Sequence, residues 1–142
     1  MQNKLLLFFK KSLVLLSSIL YLNIGIAQEL TQQEFSSVRV SGAVQVTIQQ
    51  GESSLVKVEG NSEDTSKIRT KIENGILSIQ SKGNGKFSEK AKVSVTVKKL
   101  ESLILSGASE VNSSGELIQD KIDIESSGAG DAHLVVKSNQ IK

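Results

Sequence analysis

The sequence contains no cysteine, no proline and no tryptophan in 142 residues. Each absence removes a class of protein. Without cysteine there are no disulfides to staple a small domain, no thiolate zinc site, and no residue to carry the lipid of an exported lipoprotein. Stability must then come from apolar surface buried along regular backbone pairing. The lack of proline leaves strand pairing without its commonest block. Aromatic side chains are also few: after residue 27 only Phe35 and Phe87 remain, too few for a platform on which bases could stack. A single histidine, His133, has no second imidazole to share a metal and no evident partner for a Ser-His pair. Beside Leu134-Val135-Val136 it reads as a surface residue at the end of a strand.

What is present begins with an export signal. Lys4 gives a positive start, Leu5 to Phe9 are apolar, Lys10-Lys11 interrupt, and residues 12–26 carry no charge. Gly25-Ile26-Ala27 places small residues where a signal peptidase reads them, so residues 1–27 are expected to be a cleaved signal peptide and 28–142 a single β domain. A spanning helix needs about 20 apolar residues, and this run is shorter and contains Ser17, Ser18 and Asn23. The mature chain is therefore expected to carry no transmembrane segment.

Removing the leader takes Lys4, Lys10 and Lys11 from the 17 basic residues, leaving 14 against 15 acidic ones, a formal charge of −1. The basic isoelectric point of the whole chain belongs to the leader and gives no reason to expect nucleic acid as a partner.

From Phe35 the dominant pattern is period-two alternation. Val38, Val40, Val44, Val46 and Ile48 fall on one face of an extended run and Arg39, Ser41, Gln45 and Thr47 on the other, and Gly51 closes it. Leu55 to Glu59 reads as a strand. Ile68–Glu73 and Ile76–Gln80 flank Asn74-Gly75, whose tolerance of positive φ predicts a type I′ hairpin. Lys82 to Lys92 is polar and reads as a loop, and Val93 to Val97 is an alternating strand. The one helix candidate is 61–67, where Ser62 could cap a turn ahead of Glu63 and Asp64, and a plain loop is the equal alternative.

The tripeptide Ser-Gly-Ala occurs at 41–43, 106–108 and 127–129, the last two copies 21 residues apart. Their neighbours align too: Leu103 to Val111 lies over Ile124 to Ala132. A repeat near 20 residues is too short for a βαβ unit and fits one level of a β-helix or solenoid-like stack, in which each level buries its apolar side against the next. Gly42, Gly107 and Gly128 would supply the tight turn, and Ser and Ala would fit a corner with little room. The expected fold is all-β, a solenoid-like stack after Leu100 preceded by a hairpin-containing β region, residues 35–97, with mixed pairing; the alternative is an antiparallel sandwich whose turns resemble one another by chance. After its Ser-Gly-Ala turn the first level runs to Asp120-Lys121-Ile122 and the second to Asn139-Gln140-Ile141, so a further level is expected to begin at Ile141 as a strand opens at Ile122. That open end is expected to be completed by more of the same protein or by another chain.

Little in the chain points to catalysis. The fifth position from the start of each turn motif holds Gln45, Glu110 and Asp131, expected to stack as an outward polar ladder that could meet a cation or sugar hydroxyls, or simply water. Glu116, Asp120, Asp123 and Glu125 are spread at the spacing of exposed strand positions, and no pair is singled out for acid and base work. Gly83-Asn84-Gly85 is not a phosphate loop. The expectation is a protein that is not an enzyme and takes no cofactor.

The combination Phe35-x-x-Val38-x-Val40-x-Gly42-x-x-x-Val46-x-Ile48, the Ile72-Glu73-Asn74-Gly75-Ile76-Leu77-Ser78-Ile79 hairpin, the Val-rich strand and the repeated Leu103-x-Leu105-Ser106-Gly107-Ala108 resembles the autotransporter adhesin head GIN domain family. That family is also known as a domain of unknown function common in Bacteroidetes. The resemblance covers nearly all of the mature chain. It implies a β-helix-like fold and an exported protein, in the periplasm, on the outer-membrane surface or outside the cell, and it supplies no catalytic residues to carry over. On this reading the chain is a cell-envelope or surface module contacting carbohydrate or protein. The alternative is a self-assembling element that forms a homo-oligomer through its open C-terminal end.

Overall fold

The computed structural model describes residues 28–31, 33–82 and 91–138, the first four through their backbone alone. The expected leader, most of the polar loop and the step at Ile141 lie outside them.

Eleven strands and one helical turn make up the described chain. The strands are β1 (Gln28–Thr31), β2 (Ser37–Ser41), β3 (Gln45–Gln50), β4 (Leu55–Glu59), β5 (Ile68–Glu73), β6 (Ile76–Ser81), β7 (Lys92–Val97), β8 (Ser102–Gly107), β9 (Glu110–Ile118), β10 (Asp123–Gly128) and β11 (Asp131–Lys137). Helix α1 is Ser62–Thr65, and its cap is Asn61 rather than Ser62: the Asn61 carboxamide oxygen accepts from the Asp64 amide at 2.9 Å. Ser62 is already the first helical residue, and Asn61 before it keeps extended backbone (φ −72°, ψ 162°), so the capping oxygen comes from Asn61.

A six-stranded sheet runs β1-β4-β7-β3-β9-β11 and a five-stranded sheet runs β10-β8-β2-β6-β5. Their inner faces carry the alternating residues found in the sequence. Val38, Val40, Val46, Ile48, Val93, Val95, Leu103, Leu105 and Val111 are all buried at 1% exposure or less. Each such side chain stabilises the fold by about 1.5–3 kcal/mol.

The run from Val38 to Ile48 is not one strand. Gly42, at φ +88°, turns the chain through a corner, so β2 lies in the five-stranded sheet and β3 in the six-stranded one. The alternation survives the corner because both halves face the same core. The Asn74-Gly75 hairpin is as expected, with φ of 51° and 75° and β5 antiparallel to β6 from Ile68↔Ser81 to Glu73↔Ile76.

The Ser-Gly-Ala corners lie on one another. β10 pairs parallel with β8 from Asp123↔Ser102 to Gly128↔Gly107, and β8 with β2 from Ser37↔Ser102 to Ser41↔Ser106. On the other sheet β11 follows β9 and β9 follows β3, also parallel. Space at the corner explains the glycines. A Cβ on Gly107 would stand 3.1 Å from the Gly42 nitrogen, and one on Gly128 would stand 3.0 Å from the Gly107 carbonyl oxygen. The serines tie the levels together: Ser106 Oγ donates to the Val40 carbonyl at 3.4 Å and Ser127 Oγ to the Leu105 carbonyl at 3.3 Å.

All-β is therefore the architecture, in two mixed sheets. A uniform β-helix is not what the described residues form, because β1–β4, β4–β7 and β5–β6 are antiparallel. The physical reason is local: the tight Asn74-Gly75 turn sends the chain straight back along the strand it has just left, where a parallel level would need a return across the core.

Candidate functional site

The polar ladder forms on the outer face of the six-stranded sheet. Gln45 is in register with Glu110, and Glu110 with Asp131. The row extends the other way to Lys92 and Glu59, so the three residues chosen from the sequence sit in a row of mixed charge. Glu110 is occupied by its neighbours: Asn112 Nδ2 donates to Oε1 at 2.8 Å and Gln45 Nε2 to Oε2 at 3.4 Å. His133 is exposed in the next row, in register with Asn112. Among the described residues no group of three His, Cys, Asp or Glu side chains is placed to hold a metal.

The remaining acidic candidates are dispersed. Glu116 meets Lys137 at 3.5 Å, Asp123 meets Lys121 at 2.8 Å, and Asp120 accepts from Ser138 Oγ at 3.1 Å. Glu125 is exposed on the outer face of β10.

The outer face of the five-stranded sheet holds the residues that composition alone did not reveal. Arg39 and Arg69 are the only arginines in the sequence, and both point outward from this sheet. Buried Val38 and Val40 turn Arg39 out of β2, and buried Ile68 turns Arg69 out of β5. The parallel pairing of β2 with β6 sets Arg39 beside Ser78, and the hairpin sets Lys71 on the other side of Ser78. One step along, Ser41 and Arg69 flank Gln80. The result is two rows, Arg39-Ser78-Lys71 and Ser41-Gln80-Arg69, and a shallow recess whose lining includes Arg69, Lys71, Ser78 and Gln80.

Charge on this face is balanced in number, Arg39, Arg69 and Lys71 against Glu73, Asp123 and Glu125, but not in pairing. Lys71 is paired with Glu73 at 2.7 Å, whereas neither guanidinium makes an ion pair among the described residues. Strand spacing puts their Cα atoms roughly 12 Å apart. Each offers a fork of donors suited to a carboxylate or sulfate, and the serine hydroxyl and glutamine amide between them can meet sugar hydroxyls. In the sequence the two arginines lie 30 residues apart. Their meeting depends on β2 pairing with β6, a long-range choice that alternation does not encode.

Two carboxylates outside this face are held below their ordinary value of 4.5. The Lys98 ammonium, hydrogen-bonded at 2.8 Å, lowers Glu34, with help from Ser54 Oγ. Glu101 is lowered by hydrogen bonds from Lys99 and from Ser36 Oγ, each at 3.0 Å. Together they clasp residues 34–36 to the approach to β8.

Comparison with known proteins accords with this architecture. Residues 34–142 match the family model described as "Putative auto-transporter adhesin, head GIN domain". Three solved structures share the fold. A putative adhesin from Bacteroides fragilis has TM-score 0.69 and 19% identity over 80% of this chain and 54% of its own. A putative lipid binding protein from Parabacteroides distasonis has TM-score 0.66 and 17% identity over 80% of this chain and 50% of its own. A putative adhesin from Parabacteroides merdae has TM-score 0.58 and 18% identity over 71% and 43%. The chain thus spans about half the length of the structures it resembles. No curated protein matches it. No described helix is long and apolar enough to cross a membrane.

Proposed function

The chain belongs to the auto-transporter adhesin head GIN domain family, and from that membership we propose that it is an exported, non-catalytic surface module that holds acidic carbohydrate on the outer face of its five-stranded sheet. Its parallel levels serve as a short solenoid-like scaffold for that face. The observation that carries this reading is the pair of guanidiniums, Arg39 and Arg69, without an ion-pair partner among the described residues and set around Ser78 and Gln80 on the five-stranded sheet.

The chemistry follows from the residue types. A guanidinium meets a carboxylate or sulfate with two parallel hydrogen bonds, roughly twice as strong as neutral ones. The two groups stand on β2 and β5, on either side of β6 and one row apart, and the sheet fixes their separation, so little order is lost when a chain carrying repeated acidic groups lies across them. Ser78 and Gln80 contribute neutral donors and acceptors between the charges. The six-stranded sheet offers no guanidinium to this partner, and its Glu110 is already met by Asn112 and Gln45 in a row of mixed sign.

Surface plasmon resonance with residues 28–142 over immobilised polygalacturonate, dextran sulfate and neutral dextran tests the proposal. Binding to the acidic polymers that weakens as salt rises, with none to neutral dextran, is the expected result. Binding to none of the three, or equal binding to all, would overturn it.

A further inference from the structure

Arg69, Arg39 and Asp123 fall in one line across the outer face of the five-stranded sheet. From Arg69 on β5 to Arg39 on β2 is two strands across and one row along, over β6 between Ser78 and Gln80. The same step taken again from Arg39 crosses β8 between Ile104 and Ser102 and arrives on β10 at Asp123, which is in register with Ser102. Buried Leu103 and Leu105 turn Ser102 and Ile104 outward, so all these side chains share the face. Strand spacing makes each step roughly 12 Å between Cα atoms.

The charges along this line change sign. The first two are guanidiniums with no ion-pair partner among the described residues, and the third is a carboxylate in contact with Lys121 at 2.8 Å. Lys71, beside the line, is held by Glu73 at 2.7 Å. Between the arginines stand only the Ser78 hydroxyl and the Gln80 carboxamide, which are neutral. A ligand acid group one further step beyond Arg39 meets a carboxylate that repels it and an ammonium already engaged.

We infer, on the acidic-carbohydrate reading of this same face, that the site selects by the pattern of acid groups: it takes two, on either side of one neutral sugar, and no third. A single sugar ring is too short to carry acid groups to both guanidiniums. Two acidic sugars joined through a neutral one reach both, each carboxylate taking a guanidinium fork, and the hydroxyls of the neutral sugar lie over Ser78 and Gln80. Once the first acid group is seated, the second is held close to the other arginine, so its binding is intramolecular.

Hyaluronan oligosaccharides, in which each uronic acid is followed by one neutral N-acetylated sugar, test this by titration calorimetry on residues 28–142, which hold every described element. The di-, tetra- and hexasaccharide carry one, two and three carboxylates. The tetrasaccharide is expected to bind at least tenfold more tightly than the disaccharide, and the hexasaccharide within about threefold of the tetrasaccharide. Arg39→Ala is expected to bring the tetrasaccharide down to the affinity of the disaccharide. Asp123→Asn removes the repulsion and releases Lys121, and is expected to make the hexasaccharide at least fivefold tighter than the tetrasaccharide. Circular dichroism on each variant shows whether it has folded. No gain from the second carboxylate, or an equal gain from the third, would overturn the two-acid pattern, and retained binding of dextran sulfate would then leave the broader reading standing. Loss of dextran sulfate binding as well would overturn both.

Discussion

Gln119 holds both backbone groups of Leu100 with one side chain: its Nε2 donates to the Leu100 carbonyl, and the Leu100 amide donates to its Oε1 at 3.0 Å. Gln119 is 5% exposed, so these groups have little access to water. The carboxamide takes the place of a neighbouring strand where the chain crosses between β7 and β8. Gln50 repeats the device, accepting from the Ile118 amide at 2.7 Å and donating to the Ile118 carbonyl at 3.4 Å. It does so beyond Ile48↔Ser113, where the pairing of β3 with β9 ends.

Gln119→Ala is therefore expected to cost about 2–3 kcal/mol, the penalty of leaving buried polar groups unmet. Gln119→Glu can accept but not donate at neutral pH and is expected to be no better there. Urea denaturation checks both, and a Gln119→Ala variant within about 0.5 kcal/mol of the parent would remove Gln119 from this role.

Gly107→Ala separates crowding from backbone strain. Gly107 and Gly115 both have positive φ, 82° and 91°, but a Cβ on Gly107 meets Gly42 backbone whereas one on Gly115 meets nothing within 4 Å. Both substitutions carry the roughly 1–2 kcal/mol of a left-handed L-residue. Gly107→Ala is expected to cost at least about 1 kcal/mol more, since overpacking adds that much. Equal thermal midpoints for the two variants would contradict the stacked-corner account.

Ser109, next to half-buried Ala108, is 2% exposed, and its hydroxyl finds no hydrogen-bond partner among the described residues. Removing an unmet buried hydroxyl relieves a desolvation cost, so Ser109→Ala is expected to be neutral or to stabilise by up to about 1 kcal/mol. A clear loss of stability by urea titration would show that the hydroxyl has a partner.

The clasps at Glu34 and Glu101 predict acid sensitivity. Both carboxyls are held below 4.5 in the folded state, by Lys98 and Lys99 first of all. Their contribution is present above the unfolded value and is lost as pH falls below it and through the folded values. The urea midpoint is expected to drop between pH 5 and pH 3, and the Glu34→Gln, Glu101→Gln double variant to drop less. Identical pH dependence in parent and variant would rule out the clasps as its source.

Much of this fold is written locally. Asn74-Gly75 fixes a hairpin through the φ values its two residues tolerate, and alternation at Val38 to Ile48 fixes which side chains are inside. The 21-residue spacing matches the register of β10 on β8 and of β11 on β9 as far as His133, beyond which the pairing shifts to Val135↔Glu116, and corners with no room for a Cβ are what hold that register at Gly107 and Gly128. Partner choice between distant strands was not legible. Nothing near Arg39 announces β6 as its neighbour, so the basic face was invisible, while the ladder of Gln45, Glu110 and Asp131 could be found from the repeat alone. β4 and β5 run against the stack because of turns beside them, which a repeat-based reading of the C-terminal third does not reach. Gln50 and Gln119 carry no sequence signal at all, since a glutamine reads as surface until its backbone partner is known.

The most direct measurement is the affinity of residues 28–142 for dextran sulfate in the parent, in Arg39→Ala with Arg69→Ala, and in Glu110→Gln with Asp131→Asn, at low and at physiological salt. The parent is expected to bind with marked salt dependence. The arginine pair should lose at least tenfold in affinity and most of that dependence, and the ladder pair should retain parental binding or gain slightly. Unchanged affinity in the arginine pair, or loss confined to the ladder pair, would contradict the assignment of the basic face.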